Sequence, residues 1–314
     1  MSQSSRRTLL RMALAGAVGP LIAPRRLAYA APQEGLSLGF SLYGCPGMTL
    51  PDAVGLASDA GYRCVELPLM PNWPSEPDRL DAAARRDLVT RLQDKKLRVA
   101  AFMVHLPLAA AESDWPAQAE RLKAAGQLAA DLAAVADPIV ETVVGGKPGE
   151  WDRWRPVFVS RLKSWSTLAE DAGLTIAIKP HVGSALNEPR FCRELIEAVD
   201  SPRVRLAYDY SHFDQRGFDL VETTRDLAPL SVFVHVKDRA PGEEKVRFVL
   251  PGQGQIDYPL LLKTLHAAGY RGAVVVEVSA QIHSQPGYSA KEAASMSFGH
   301  LSRALVAAGI TAGS

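Results

Sequence analysis

Eight short apolar runs rich in β-branched residues alternate with amphipathic segments along most of this chain, and this alternation restricts the fold more than any other sequence feature. The runs have the length of buried strands, and the segments between them have the length and periodicity of helices. The strand candidates are residues 36–43, 62–69, 97–105, 138–144, 174–181, 204–209, 232–237 and 273–279. Helices are predicted at 81–95, 117–134, 154–171, 190–199 and 258–268. Eight βα units predict an α/β protein, a single-domain (β/α)8 TIM barrel.

Glycines at three helix-to-strand joints fix the direction of these units. Gly61, Gly173 and Gly269 each follow a helical run and precede a strand candidate. Glycine just past a helix end adopts the left-handed conformation that other residues resist. The opposite, C-terminal ends of the strands therefore share the pole where barrel enzymes keep their chemistry. The main competitor, an open doubly wound sheet, is disfavoured because no strand candidate leads into a GxGxxG or GxxxxGK[ST] loop.

The first thirty residues have the layout of an export signal. Arg6 and Arg7 precede an apolar stretch over 12–23, and Ala28-Tyr29-Ala30 forms a small-residue cleavage site. Paired arginines before a weakly apolar segment predict a twin-arginine signal peptide over 1–30, a barrel domain over 31–314 and a periplasmic location. The alternatives are a general secretory signal or an uncleaved anchor. The apolar stretch is shorter than the ~20 residues that span a bilayer, so no stable membrane span is expected after the signal is removed.

The charge balance argues against partners that bind through a large electrostatic field. Lysine and arginine total 35, aspartate and glutamate total 34, and the two signs are interspersed. An endonuclease would need a basic groove for phosphates, and a net charge of +1 with few clusters of lysine and arginine argues against one. The three cysteines are far apart in sequence and are interpreted as core residues rather than as disulfide partners or metal ligands.

Ionisable residues lie within or just after most of the strand candidates, where a purely structural strand would be apolar. Because an unpaired buried charge is costly, these residues need partners or a metal. Each one alone has an ordinary structural interpretation as a turn cap, a core histidine or half of an ion pair. Their shared placement predicts one site, and Asp209, His235 and Glu277 on three successive strand ends suit Mn²⁺, Mg²⁺, Co²⁺ or Zn²⁺. The full set is Glu66, His105, Glu141, Lys179, His181, Asp209, His212, His235, Lys237 and Glu277.

Four segments in the C-terminal part of the chain carry a family resemblance. AYDYSH ends at His212, VHVKD ends at Asp238, LPGQGQIDY ends at Tyr258, and VEV is centred on Glu277. Together they resemble the sugar phosphate isomerase/epimerase family with the xylose isomerase-like TIM barrel. That family includes hydroxypyruvate isomerases, ketose 3-epimerases, inosose dehydratases and apurinic endonucleases. The resemblance extends over the whole barrel domain and implies the same fold that the βα pattern predicts.

The resemblance also implies a divalent metal held by Glu, Asp, His and Glu from the last four barrel strands. Asp209, His235 and Glu277 match three of these ligands, but Lys179 stands where the first glutamate is expected. In one interpretation, which the sequence favours, His181 or His212 replaces the missing ligand and the metal is retained. Lys179 then acts as acid or base, because burial beside a cation can lower a lysine pKa toward neutrality. In a second, the Lys179 ammonium occupies the metal position. In a third, the barrel only binds a sugar.

The implied function is a metal-dependent sugar isomerase or epimerase that removes a proton next to a carbonyl. Glu277, Lys179 and His181 are the predicted catalytic residues, and Asp209, His235, Glu277 and His212 are the predicted metal ligands. Glu66, His105, Glu141 and Lys237 are predicted to bind substrate hydroxyl groups, although Lys237 can also pair locally with Asp238. The substrate is expected to be a free sugar, an inositol or a keto sugar. The alternatives are a lyase or dehydratase on a 3-keto sugar or glycoside, and a non-catalytic sugar-binding barrel.

Overall fold

The structure, a computed structural model, describes residues 35–240, 242 and 246–311. The predicted signal peptide over 1–30 lies outside these residues, as do residues 31–34 at the start of the predicted domain. The export signal, the periplasmic location and the domain boundaries therefore remain predictions.

Eight parallel strands close into a barrel, which confirms the predicted (β/α)8 architecture. The strands are β1 Ser37–Ser41, β2 Cys64–Pro68, β3 Arg98–Met103, β4 Ile139–Val143, β5 Thr175–Lys179, β6 Val204–Tyr208, β7 Ser231–Val236, β8 Asp238–Arg239, β9 Phe248–Val249 and β10 Ala273–Val276. Each strand candidate overlaps one barrel strand, and the sheet closes where Phe40 of β1 pairs with Val276 of β10. A separate antiparallel hairpin, β8 with β9, follows β7 and was not predicted.

Helices connect successive barrel strands and form the outer layer. They are α1 Leu50–Ala60, α2 Ala82–Asp94, α3 Trp115–Asp131, α4 Trp151–Asp171, α5 Pro189–Val199, α6 Ser211–Asp214, α7 Leu220–Leu227, α8 Tyr258–Ala267, α9 Ala280–His283 and α10 Ala290–Ala307. The five predicted helices correspond to α2, α3, α4, α5 and α8. Within the described part of the chain, every helix is too short or too polar to cross a membrane.

Local capping explains where the first long helix begins and ends. The Thr49 side chain accepts the backbone N–H of Asp52 at the start of α1, and Gly61 ends it at φ +104°. A β-carbon at Gly61 would lie 2.7 Å from the Phe298 ring of α10, so both the backbone angle and the packing require glycine. The other two predicted glycine joints also have positive φ angles.

The apolar core has two parts, and the smaller one supports the functional pole. Most buried apolar residues lie between the sheet and the helices. A second, smaller cluster includes Ile139, Ala177, Ala207, Phe233 and Val275, and fills the barrel interior. Side chains two positions apart on a strand share a face. The next inward positions are therefore ionisable, and they form a polar layer above the apolar interior: Glu141, Lys179, Asp209, His235 and Glu277. The three cysteines are all free and buried, as predicted.

Candidate functional site

A cleft of about 330 Å³ opens at the C-terminal ends of the barrel strands. Five of the predicted site residues line it: His105, Glu141, Lys179, His181 and Glu277. Tyr43 and Ser279 also line it and were not predicted. Tyr43 lies in the 3₁₀ turn Leu42–Gly44, beyond the end of the first barrel strand at Ser41, so strand alternation gave no signal for it. The cleft is therefore lined by residues at or just beyond the ends of β1, β3, β4, β5 and β10.

Glu277 lies between two lysine ammonium groups. Its Oε2 accepts from Lys179 Nζ at 2.6 Å and from Lys237 Nζ at 2.5 Å. Burial alone would raise the pKa of Glu277, but the two ammonium groups outweigh burial and hold this pKa well below its ordinary value. Glu277 is therefore a fixed anion rather than a carboxyl that readily exchanges a proton at neutral pH.

Lys179 is buried at the base of the cleft, and its surroundings keep it charged. Burial would lower its pKa, but Glu277, Glu141 and Asp209 together raise it above the ordinary lysine value. The acid–base role proposed for Lys179 required a pKa shifted toward neutrality, and the shift has the opposite direction. Its Nζ lies 2.9 Å from His235 Nδ1 and 3.7 Å from Asp209 Oδ2. Lys179 thus contacts or approaches each of the three metal ligands that the family resemblance implies.

Lys237 makes a second ammonium centre next to the first. Its Nζ contacts Asp209 Oδ2 and lies 3.1 Å from His212 Nε2. The predicted local pair with Asp238 is absent from the described contacts of Lys237. The Asp238 carboxylate instead accepts backbone N–H groups, including those of Gly252 at 3.1 Å and Ile256 at 3.2 Å. Lys237 therefore belongs to the buried ion cluster beneath the cleft and does not line the cleft wall.

Glu66 also lies beneath the cleft, behind His235. Glu66 Oε2 lies 3.0 Å from His235 Nε2 and accepts the Ser41 hydroxyl at 2.5 Å. Because the Lys179 ammonium can only donate, its contact requires a lone pair on His235 Nδ1, and the ring proton then lies on Nε2, facing Glu66 Oε2. The structure thus gives Glu66 a role in orienting His235, whereas the sequence predicted contact with substrate hydroxyl groups.

The two histidines near the cleft mouth are neutral hydrogen-bonding groups. Burial and the charges of Lys237 and Lys179 lower the pKa of His181 to about 4. Its Nδ1 accepts the Gly183 backbone N–H at 3.0 Å, so Nε2 carries the ring proton. His181 can therefore donate to a substrate oxygen. Burial also lowers the pKa of His105, followed by the charge of Lys179.

Glu141 is the cleft carboxyl best suited to exchange protons near neutral pH. Its burial raises its pKa to about 7, against the opposing effects of Lys179 and His235. Glu66 and Glu277 raise it further because a second negative charge nearby disfavours ionisation. A general acid or base works best when its pKa is close to the working pH. Among the described residues that line the cleft, the two carboxylates thus differ sharply, with Glu277 fixed as an anion and Glu141 poised.

The ligand atoms of this site suit a divalent metal, but a lysine ammonium group competes for them. Asp209, His212 and Glu277 each offer a ligand atom, and these atoms lie within 4.8 Å of one another, so the group can hold a metal ion. His212 takes the position in this group that the resemblance assigned to His235. However, the Lys237 ammonium contacts the same three residues. With Lys237 charged and in place, a divalent ion does not fit, because both cations require the same lone pairs.

The closed parallel barrel and the ionisable layer at its C-terminal pole define a class: a (β/α)8 barrel of the kind that works on small molecules at strand ends. The match to known families specifies this class further. Residues 54–298 match the family described as Xylose isomerase-like TIM barrel, and the chain belongs to it. The family resemblance stated from the sequence is therefore confirmed.

Individual proteins are similar to this chain either in part of their sequence or in their fold. An inosose dehydratase of Geobacillus thermodenitrificans is 30% identical over 143 residues, which are 41% of this chain and 47% of that protein. The match thus spans about half the length of this curated relative. Among solved structures, the IolI protein with a bound zinc atom has a TM-score of 0.71 at 20% identity and covers 87% of this chain and 98% of its own. An L-ribulose 3-epimerase has a TM-score of 0.69 at 20% identity, covering 87% and 95%.

Proposed function

We propose that this protein is a lyase-type sugar enzyme that removes water from a polyhydroxylated ketone. The observation that carries the proposal is the pair formed by Glu141, whose pKa is near neutrality, and the charged Lys179 on the same cleft. One carboxyl that both takes and returns a proton is sufficient for an elimination on one face of the substrate. An epimerase needs acid–base groups on two opposite faces, and Glu277 is held as an anion by two lysines.

The reaction begins with removal of the proton on the carbon next to the carbonyl. The Glu141 carboxylate takes this proton, and the C–H electron pair moves to form an enolate. The Lys179 ammonium stabilises the negative charge on the former carbonyl oxygen, as preorganised donors do in other enzymes that form oxyanions. His181 donates its Nε2–H to a neighbouring substrate oxygen.

The second step completes the elimination. The enolate re-forms the carbonyl and expels the hydroxyl group on the β-carbon, and protonated Glu141 returns its proton to that leaving group. Water and an α,β-unsaturated ketone are the products, and Glu141 is again a carboxylate. Glu277 and Asp209 stay ionised throughout and hold the two lysines in place.

Two further observations support the choice of substrate. The inosose dehydratase that matches part of this chain is named for dehydration of a cyclic polyol ketone, the same class of reaction. Among the described residues that line the cleft there is no arginine that could bind a phosphate. A phosphate-free inosose or 3-keto sugar is therefore the proposed substrate class.

Product analysis tests this function. The protein is incubated with inososes, 3-keto glycosides and free ketoses, and NMR is used to detect vinylic protons and mass spectrometry to detect loss of water. We expect Glu141→Gln to lower the rate about 100-fold or more, the range found for loss of a general acid–base group. Glu197→Gln, on the exposed side of α5, is the matched control and should leave the rate unchanged.

Other outcomes would contradict the proposal in different ways. A product that is an isomer or epimer, with every oxygen retained, would assign the isomerase function that the sequence favoured. Tight binding of a keto sugar with no chemical change would assign a sugar-binding barrel. A Glu141→Gln variant with full activity would remove Glu141 from the mechanism.

A further inference from the structure

At two points in the buried layer, two carboxylates and one histidine side chain come together around a lysine ammonium group. At the first, Asp209, His235 and Glu277 surround Lys179 Nζ; these are the three residues that the family resemblance assigned to a metal. At the second, Asp209, His212 and Glu277 surround Lys237 Nζ. The same two carboxylates therefore serve both centres, and each centre adds one histidine nitrogen.

An ammonium group and a metal ion compete at such points because both need the same lone pairs. Lys237 is buried and does not line the cleft, so its ammonium cannot return to water while the barrel remains closed around it. Lys179 is nearly as buried, but it lines the cleft. Asp209 Oδ2 and Glu277 Oε2 are already directed at the ammonium groups, so a divalent ion could bind them only by displacing a lysine and leaving its charge buried without partners. Buried uncompensated charge is strongly unfavourable.

Neighbouring residues orient the acceptor atoms that contact each ammonium group. The contact from Glu66 turns the Nδ1 lone pair of His235 toward Lys179. Asp209 Oδ1 accepts both the backbone N–H and the hydroxyl of Ser211, which leaves Oδ2 directed at Lys237. The lysines thus lie in a site whose acceptors are already oriented toward them.

We infer that Lys179 and Lys237 are the resident cations of this barrel and that they replace the divalent metal of the family. Lys237 neutralises Asp209 and Glu277 beneath the cleft. Lys179, which also lines the cleft, is the cation that meets the substrate oxygen. The role of Lys179 toward substrate rests on the proposed function, whereas the exclusion of metal does not.

Metal content tests the exclusion directly. Wild-type protein purified without chelator is incubated with Zn²⁺ or Mn²⁺, desalted and measured by elemental mass spectrometry. We expect no retained metal in the wild type and near-stoichiometric Zn²⁺ in Lys237→Met, because this change leaves the ligand atoms of Asp209, His212 and Glu277 free. Adding Asp209→Asn to Lys237→Met should abolish that binding. Lys163→Met, on the exposed face of α4, is the matched control and should behave as the wild type.

Two results would overturn the inference. One is near-stoichiometric metal in the wild type that a chelator removes with a fall in melting temperature. The other is a folded Lys237→Met variant, verified by circular dichroism, that binds no metal. If Lys237→Met does not fold, the wild-type measurement still decides, since chelator and Zn²⁺ should both leave the wild-type melting temperature unchanged.

These outcomes separate this inference from the proposed function. A wild-type protein that excludes metal but dehydrates no keto sugar would leave the lysine assignment standing and remove the function. A protein that dehydrates its substrate only after metal is added would leave the proposed function standing and remove the lysine assignment.

Discussion

Single residues at the strand ends determine the chemistry of this barrel. The departure at Lys179 was visible in the sequence because the family pattern has a glutamate there, but the direction of its pKa shift depends on Glu277, Glu141 and Asp209 lying close in space. Lys237 was harder to interpret, since its sequence neighbour Asp238 is an obvious partner. The two-residue period of β7, which places Lys237 on the same face as His235, was the signal that pointed into the barrel instead.

The pH dependence of stability tests the environment of Glu141. Its pKa is about 7 in the folded protein and 4.5 in the unfolded chain, so between these values the folded state binds more protons. Stability must therefore fall as pH rises through this window, by at most about 3 kcal/mol for this group. We expect Glu141→Gln to abolish that part of the fall, so that the variant gains stability over the wild type at pH 8 but not at pH 4.

Urea denaturation of both proteins between pH 4 and pH 8 provides the measurement, with Glu197→Gln as the control. The free energy of unfolding of the control should run parallel to the wild type. If Glu141→Gln also ran parallel to the wild type, Glu141 would have an ordinary pKa in the folded protein and could not be the poised group of the cleft.

At the scale of elements, the sequence predicted every barrel strand but not every helix, and the 18-residue α10 was among the helices that were not predicted. All eight barrel strands and the five predicted helices were found in their expected places. The β8–β9 hairpin was missed because strands of two residues carry too little pattern. The register shifts in the barrel, such as the one between Val65 and Glu66, depend on how neighbouring strands twist together and leave no mark in one strand's sequence.

The turn that follows the hairpin explains the PGQGQID segment, the most specific part of the family resemblance. A β-carbon at Gly254 would lie 2.2 Å from Asp238 Oδ1 and 2.3 Å from the Arg239 carbonyl oxygen. Only glycine allows this turn to close on Asp238, which directly follows Lys237. The segment thus has a structural role in holding the end of β7.

Substitution of Gly254 should therefore damage the protein from outside the cleft. We expect Gly254→Ala to lower the free energy of unfolding by about 1 to 3 kcal/mol, the usual cost of overpacking. Gly55→Ala is the control, because its β-carbon would meet open space within α1 and should stabilise the helix by about 0.5 to 1 kcal/mol. Equal stability of the Gly254→Ala variant and the wild type in urea would show that the turn can move away from Asp238.

At the scale of the whole molecule, closure of the barrel brings residues that are far apart in sequence together at one site. Glu66 of β2, which accepts from Ser41 of β1, reaches His235 of β7 only because β1 pairs with β10 across the seam. The βα pattern predicted the barrel and thus the shared pole, but it could not predict which side chains pair there. Ion pairing in the buried layer depends on distances of a few tenths of an ångström, which no spacing in the sequence encodes.

The most direct test of these conclusions is deuterium exchange between a keto substrate and solvent, catalysed by chelator-treated protein in D₂O. We expect wild-type protein to exchange the hydrogen next to the carbonyl without added metal. Lys179→Met should slow the exchange about 100-fold, as does loss of one oxyanion donor in other enzymes. Exchange that stops on chelation and returns with Mn²⁺ would contradict the assignment of the two lysines as the resident cations.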